Sequence, residues 1–262
     1  MLRQRIRDGV VLRLIGKWLN AGVLEAGGVT FPSAGTPQGG VISPLLANVY
    51  LHYVLDIWFE REVKPRLQGR AFLIRYADDF VMGFACEGDA RRVLDVLPKR
   101  FGKYGLTLHP DKTRMVAFRP PSASPGPDSG VGPQPGTFGL LGFTHYWGRS
   151  RQGNWVVKRR TAADRLRRAI RTIAQWCRLN RHLPLPEQHQ TLGHKLRGHF
   201  AYYGITGNGE ALRRFRDAVQ RAWQKWLSRR SWAGGLSWDA FTRLLKRHPL
   251  PPAVVVHSVY RP

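Results

Sequence analysis

Seven residues, Arg75-Tyr76-Ala77-Asp78-Asp79-Phe80-Val81, restrict this chain more than any other stretch. Phe72-Leu73-Ile74 ahead of the acids and Phe80-Val81-Met82-Gly83-Phe84 behind them are apolar and β-prone. Strand, tight polar turn, strand is the simplest local structure. Two carboxylates side by side between hydrophobic strands are unfavourable unless a cation or solvent meets them. The pair reads in one of two ways. It is a divalent-metal site for phosphoryl or nucleotidyl transfer, or it is an acidic β-turn, where Asp is common. The dipeptide alone does not choose.

Charge narrows the partner. The formal net charge is +25 over 262 residues, which no fold requires and which points to a polyanion. Nucleic acid is the first candidate and an anionic membrane surface the second. No apolar run is long enough to span a bilayer. Residues 1–119 hold 18 Lys/Arg against 11 Asp/Glu, whereas residues 158–262 hold 22 against 5. Polyanion affinity is therefore expected in the C-terminal part, and the carboxylates belong to the N-terminal part. Cys86 and Cys177 stand alone, with no CxxC pair, so neither a disulfide framework nor a zinc site is expected and a reducing interior such as the cytoplasm fits.

Residues 3–20 carry Ile6, Val10, Leu14 and neighbours at helical spacing, with Arg3, Arg7, Arg13 and Lys17 elsewhere around the barrel. Gly35-Thr36-Pro37-Gln38-Gly39-Gly40 follows. Pro37 fixes its own φ, and Gly39 and Gly40 permit close approach to the backbone. A helix predicted over 41–63 would present its free N–H groups to that turn, a junction suited to phosphate but also to an ordinary glycine turn. After the Asp-Asp hairpin come a helix over 88–103 and a strand at Met115-Val116-Ala117-Phe118. Together these predict an α+β layer with antiparallel strands and helices on one face. Residues 119–137 read as a Pro/Gly-rich loop or linker. Phe138 to Thr144 and Asn154 to Lys158 are β-like. From Lys158 the pattern is helical and basic: helices over 161–179, 186–203, 210–230 and 238–246 make a small bundle with Arg on its outer faces.

In this order the segments resemble the reverse transcriptases encoded by bacterial group II introns. Gly35-Thr36-Pro37-Gln38-Gly39-Gly40 with Ser43-Pro44-Leu45-Leu46-Ala47-Asn48 is similar to the family's loop-and-helix motif. Tyr76-Ala77-Asp78-Asp79 resembles the polymerase signature, and Gly105-Leu106 with Lys112-Thr113 the next block. Leu140, Gly142 and Phe143 resemble the strand that supports the primer end. Lys195 to Gly198 through Tyr202-Tyr203-Gly204 is similar to the thumb and maturase region.

The resemblance implies a right-hand polymerase palm followed by an all-α thumb/maturase bundle. Its divisions would be 1–118 as partial palm, 119–137 as linker, 138–157 as a β segment completing the palm, and 158–262 as the basic thumb. It implies RNA-directed DNA synthesis with two Mg²⁺ ions, held by Asp78 and Asp79. Tyr76 and Ala77 would lie under the primer end. Pro37, Gln38, Gly39 and Gly40 would line the nucleotide and template pocket, with Lys112 near the leaving phosphates. Arg160, Arg167, Arg168, Arg171, Lys195, Arg197, Arg213 and Arg214 would hold nucleic acid. The implied partners are an RNA template, a DNA primer and intron RNA, in a bacterial cytoplasm and away from membranes.

The resemblance also implies a departure. The family's fingers and first palm strand, which carries another metal-binding aspartate, lie before the point where this chain begins. Adjacent residues on a strand point to opposite faces, so the two-metal reaction needs carboxylates from more than one strand. Asp8 and Asp56 fall on helices. The expectation is an incomplete polymerase that requires a fragment in trans. The alternatives are a catalytically inactive RNA-binding maturase or splicing factor, and a degenerate gene fragment.

Overall fold

A computed structural model describes residues 1–20, 23–25, 28–30, 42–121, 136–230 and 234–258. The chain divides into two compact units, Met1–Met115 and Val116–Pro262.

After a 3-10 turn at Leu2–Gln4 the first unit forms helix α1 (Gly9–Leu19), capped by Asp8, whose carboxylate accepts from the N–H groups of Val10 (2.7 Å) and Val11 (3.3 Å). Strands β1 (Val23–Glu25) and β2 (Gly28–Thr30) pair as an antiparallel hairpin. Helix α2 (Ser43–Leu51) starts with a proline in its first turn, where no N–H is lost. It runs on through π-helical turns at His52–Asp56 and Phe59–Val63 and tightens to a 3-10 turn at Lys64–Arg66. Val54, Leu55, Trp58, Phe59 and Val63 of this long helix meet Val93, Leu97 and Phe101 of helix α3 (Glu87–Gly102). The i, i+4, i+8 spacing of the α3 residues makes one apolar stripe.

Strands β3 (Ala71–Tyr76) and β4 (Asp79–Phe84) lie against that core as an antiparallel pair. Leu73, Phe80, Met82 and Phe84 pack inward, while Phe72, Ile74 and Tyr76 on the alternate face are exposed. Gly83 stands opposite Phe72, whose ring occupies the space a Cβ would need.

The second unit begins with an antiparallel sheet of β5 (Phe138–Leu140), β6 (Phe143–Arg149) and β7 (Trp155–Thr161) in sequential order. Strand β7 leads through Ala162 into α4 (Ala163–Leu179), followed by α5 (Leu185–Tyr203), α6 (Gly209–Leu227) and α7 (Trp238–Arg247). Their common core includes Leu166, Ile173, Leu192, Leu196, Phe200, Leu212, Phe215, Trp223 and Phe241. The buried Trp223 indole donates to Gln188 Oε1 at 2.9 Å, so its N–H is not stranded in the apolar interior.

One predicted strand does not form among the described residues. Met115-Val116-Ala117-Phe118 has β-forming residues but joins no ladder. Among the described residues of the second unit, Val116 to Phe118 are held by a backbone bond from Gly136 N–H to Ala117 O at 3.0 Å and by the Phe118 ring against Phe138 and Trp147. β-propensity needs a partner edge, and side-chain packing has taken its place here. The helix predicted from residue 161 starts at Ala163, because Thr161 still belongs to β7, paired with Phe143, and Ala162 is extended with ψ 137°. The residues 35–40 turn lies outside the described residues.

Candidate functional site

The β3–β4 register pairs Tyr76 with Asp79, leaving Ala77 and Asp78 as a two-residue turn. A loop this short requires positive φ in its centre. Ala77 supplies it with φ +54°, a conformation that costs a residue with a Cβ about 1–2 kcal/mol. Asp78 occupies the second turn position and Asp79 opens β4; both are exposed. Tyr76 is 67% exposed beside them, a wide aromatic face next to the acid pair.

Beneath the turn lies a cluster that sequence reasoning missed. Arg75 points inward, on the face of β3 shared by Ala71 and Leu73. Its Nε and Nη2 donate to the two oxygens of Asp56, both at 2.7 Å. Its Nη1 donates to Asn48 Oδ1 at 2.9 Å and to the Ala77 carbonyl at 2.8 Å. His52 Nδ1 lies 3.3 Å from Asp56 Oδ2. Burial raises the Asp56 carboxyl pKa, but the hydrogen bond and charge of Arg75, with His52 adding to them, outweigh it and hold the carboxyl below its ordinary value. Arg75 is shifted up in turn by its bond to Asp56, against the opposing effect of burial. The readable signal was the alternation of β3, which puts a charged Arg75 on the core face, where it must have a partner.

Asp56 is thus committed to Arg75. Among the described residues no group of three or more His, Cys, Asp or Glu side chains is placed to hold a metal ion. The fit of Asp78 and Asp79 to magnesium is nonetheless chemically sound. Mg²⁺ keeps several waters and takes one or two carboxylates plus substrate phosphates, so an exposed acid pair is a suitable partial ligand set.

The other predicted residues are distributed as follows. Lys112 is exposed, in a turn closed by its own N–H to His109 O at 3.2 Å. Pro37, Gln38, Gly39 and Gly40 lie outside the described residues. Leu140 and Phe143 flank a second two-residue turn, Leu141–Gly142, in which φ is positive at both positions (+51° and +75°), the type I′ pattern. Tyr202 Oη donates to the Leu141 carbonyl at 3.0 Å, and Phe143 stacks on Tyr202 with ring centroids 6.0 Å apart.

On the bundle, Arg167, Arg168 and Arg171 of α4 and Arg213 and Arg214 of α6 are exposed. Arg160 lies over the Tyr146 ring at 5.1 Å and Lys195 over Trp176 at 5.9 Å. Arg197 lines an apolar groove with Phe200 and Pro249 to Pro252. The Trp226 ring of α6 is partly buried against the bundle core and is collared by Arg178 (5.8 Å), Lys225 (5.7 Å) and Arg229 (5.2 Å). No described helix is long and apolar enough to cross a membrane.

Residues 5–145 match the family described as Reverse transcriptase (RNA-dependent DNA polymerase). The chain is similar to the uncharacterized 91 kDa protein in cob intron of Schizosaccharomyces pombe, 46% identical over 170 residues, which cover 44% of this chain and 21% of that protein. It is similar to group II intron-encoded protein LtrA of Lactococcus lactis subsp. cremoris, 41% identical over 73 residues, covering 26% of this chain and 12% of LtrA. Protein YkfC of Escherichia coli is 30% identical over 147 residues, 44% of this chain and 37% of YkfC. The chain therefore spans well under half the length of the curated relatives it matches. With the family match running from residue 5 through the Asp78–Asp79 turn to residue 145, more than half of the chain, the protein belongs to the reverse transcriptase (RNA-dependent DNA polymerase) family.

Proposed function

We propose that the chain is the palm and thumb part of a group II intron-type reverse transcriptase and maturase, extending a DNA primer on an RNA template. The observation that carries this reading is the exposed Asp78–Asp79 pair at the strained tip of the β3–β4 hairpin. Asp78 and Asp79 would hold the divalent metal. Two bound Mg²⁺ would supply Lewis acidity toward the attacking primer hydroxyl and the leaving phosphates. Tyr76 and Ala77 would support the primer end, with the tyrosine ring offering a stacking face. Pro37 to Gly40 would line the nucleotide and template pocket, and Lys112 would neutralise charge on the departing phosphates. Leu140, Gly142 and Phe143 would steady the primer, on a turn held by Tyr202.

The bundle would grip the primer–template duplex and intron RNA through Arg160, Arg167, Arg168, Arg171, Lys195, Arg197, Arg213 and Arg214. The β3–β4 sheet has two strands, so each keeps an unpaired edge among the described residues. A further carboxylate strand, which the two-metal reaction calls for, would pair along one of them.

The test is primer extension on an RNA template with Mg²⁺, with the chain alone and with Asp78→Asn beside it. Incorporation that disappears in Asp78→Asn supports a polymerase and shows the carboxylate set to be sufficient. The charge excess of residues 158–262 favours a second reading, an RNA-binding maturase without polymerase activity. Salt-sensitive RNA binding that Asp78→Asn leaves unchanged, with no incorporation even when a further palm segment is added in trans, would replace the first reading with the second.

A further inference from the structure

We propose that Arg75 is a positioning residue for the Asp78–Asp79 turn, fixing the Ala77 carbonyl against Asn48 and Asp56 of the long helix. The inference rests on reading the two aspartates as metal ligands. Four of the five guanidinium N–H groups are directed at acceptors: two at Asp56, one at Asn48 and one at Ala77 O. The side chain is only 12% exposed, although the turn it touches is open to solvent.

A structural ion pair would need Asp56 alone. The contact that an ion pair does not explain is the one to Ala77 O. That carbonyl belongs to the residue with positive φ, immediately before Asp78. A peptide unit is planar, so pinning Ala77 O fixes the plane that contains the Asp78 nitrogen, and with it the direction in which Asp78 leaves the turn.

The helix end of the connection is firm. Val54, Leu55 and Phe59, on either side of Asp56 in sequence, are fully buried. Asn48 and Asp56 are eight residues apart and would sit about 80° out of line on a regular α-helix. The π turn at His52–Asp56 unwinds the helix between them and reduces that offset, so one guanidinium reaches both. A lysine would keep the charge but not the fork.

The experiment uses the full chain with Mn²⁺ as probe, read by water-proton relaxation, and amide hydrogen exchange over residues 76–80. In Arg75→Lys, exchange at the tip should rise about tenfold and Mn²⁺ affinity should fall about tenfold, as when a group supporting a metal ligand is removed. Asp78→Asn should abolish the Mn²⁺ site without speeding exchange to the same degree. Exchange and affinity in Arg75→Lys both within about twofold of wild type, well inside the tenfold range, would overturn the proposal.

If Arg75→Lys does not fold, Asn48→Ala decides. It removes one Nη1 partner outside the core and should still loosen the tip; unchanged exchange there counts against the proposal. A wild-type chain that binds no Mn²⁺, or an Asp78→Asn chain that binds it equally well, defeats the metal reading instead. The exchange measurement then judges the positioning role by itself, with faster exchange in Arg75→Lys upholding it and unchanged exchange overturning it.

Discussion

Asn208 and Thr161 hold each other by both ends: the Thr161 N–H donates to Asn208 Oδ1 at 2.9 Å, and Asn208 Nδ2 donates to Thr161 Oγ1 at 2.8 Å. The second Nδ2 proton goes to the Tyr203 carbonyl at 2.8 Å. This buried knot joins the end of β7 to the turn between α5 and α6. Asn208→Ala strands a buried N–H and a hydroxyl at once. Chemical denaturation should show a loss of about 2–4 kcal/mol, larger than for any single exposed arginine of α4.

The tip of the β3–β4 hairpin gives a stability prediction of opposite sign. Ala77→Gly removes the left-handed penalty, about 1–2 kcal/mol, and adds chain entropy worth about 0.5–1 kcal/mol to the unfolded state. The variant should be as stable as the wild type or slightly more so in thermal melts. Ala77→Val, with a branched Cβ in the same conformation, should be clearly destabilised.

His199 ties stability to pH. Its ring stacks on Phe215 with centroids 3.8 Å apart, and its Nε2 has no hydrogen-bond partner among the described residues. Burial pushes its pKa down to about 4. The folded ring is therefore neutral, while the unfolded chain takes up a proton near pH 6.5. The contribution is fully present above about pH 6.5 and is lost as pH falls toward 4. Melting temperature against pH should show this slope, and His199→Phe should flatten it.

The two cysteines should react very differently. Cys177 is 1% exposed, and burial pushes its thiol up to about 12. Cys86 is only partly buried. Mass spectrometry after brief alkylation at pH 8 should find Cys86 modified and Cys177 intact until denaturant is added.

RNA affinity should carry a steep salt dependence. Arg167 and Arg168 are exposed on α4. If each meets a phosphate, replacing one by Ala should reduce the slope of log K against log salt by about 0.7–0.9. Affinity should fall evenly across RNA sequences, which competition binding would read.

What the sequence made legible follows physical range. The β3–β4 hairpin was readable because its apolar runs and its turn chemistry are local. The bundle was readable because Leu192, Leu196 and Phe200 repeat at helical spacing along one helix. The Arg75–Asp56 pair was not, since it joins residues 19 apart through a helix whose winding changes midway. Met115 to Phe118 misled because β-propensity says nothing of whether an edge will be there to receive it. The Trp226 collar draws Arg178 from α4 to a ring on α6, a meeting of faces that periodicity on either helix alone leaves open.

That collar gives the protein an optical reporter of its own. Three cations crowd one indole, and the field they impose would tune its emission. A polyanion drawing Arg178, Lys225 and Arg229 toward itself would relax that field. Trp226 fluorescence, isolated by comparison with Trp226→Phe, would then follow occupancy of the basic face without a label.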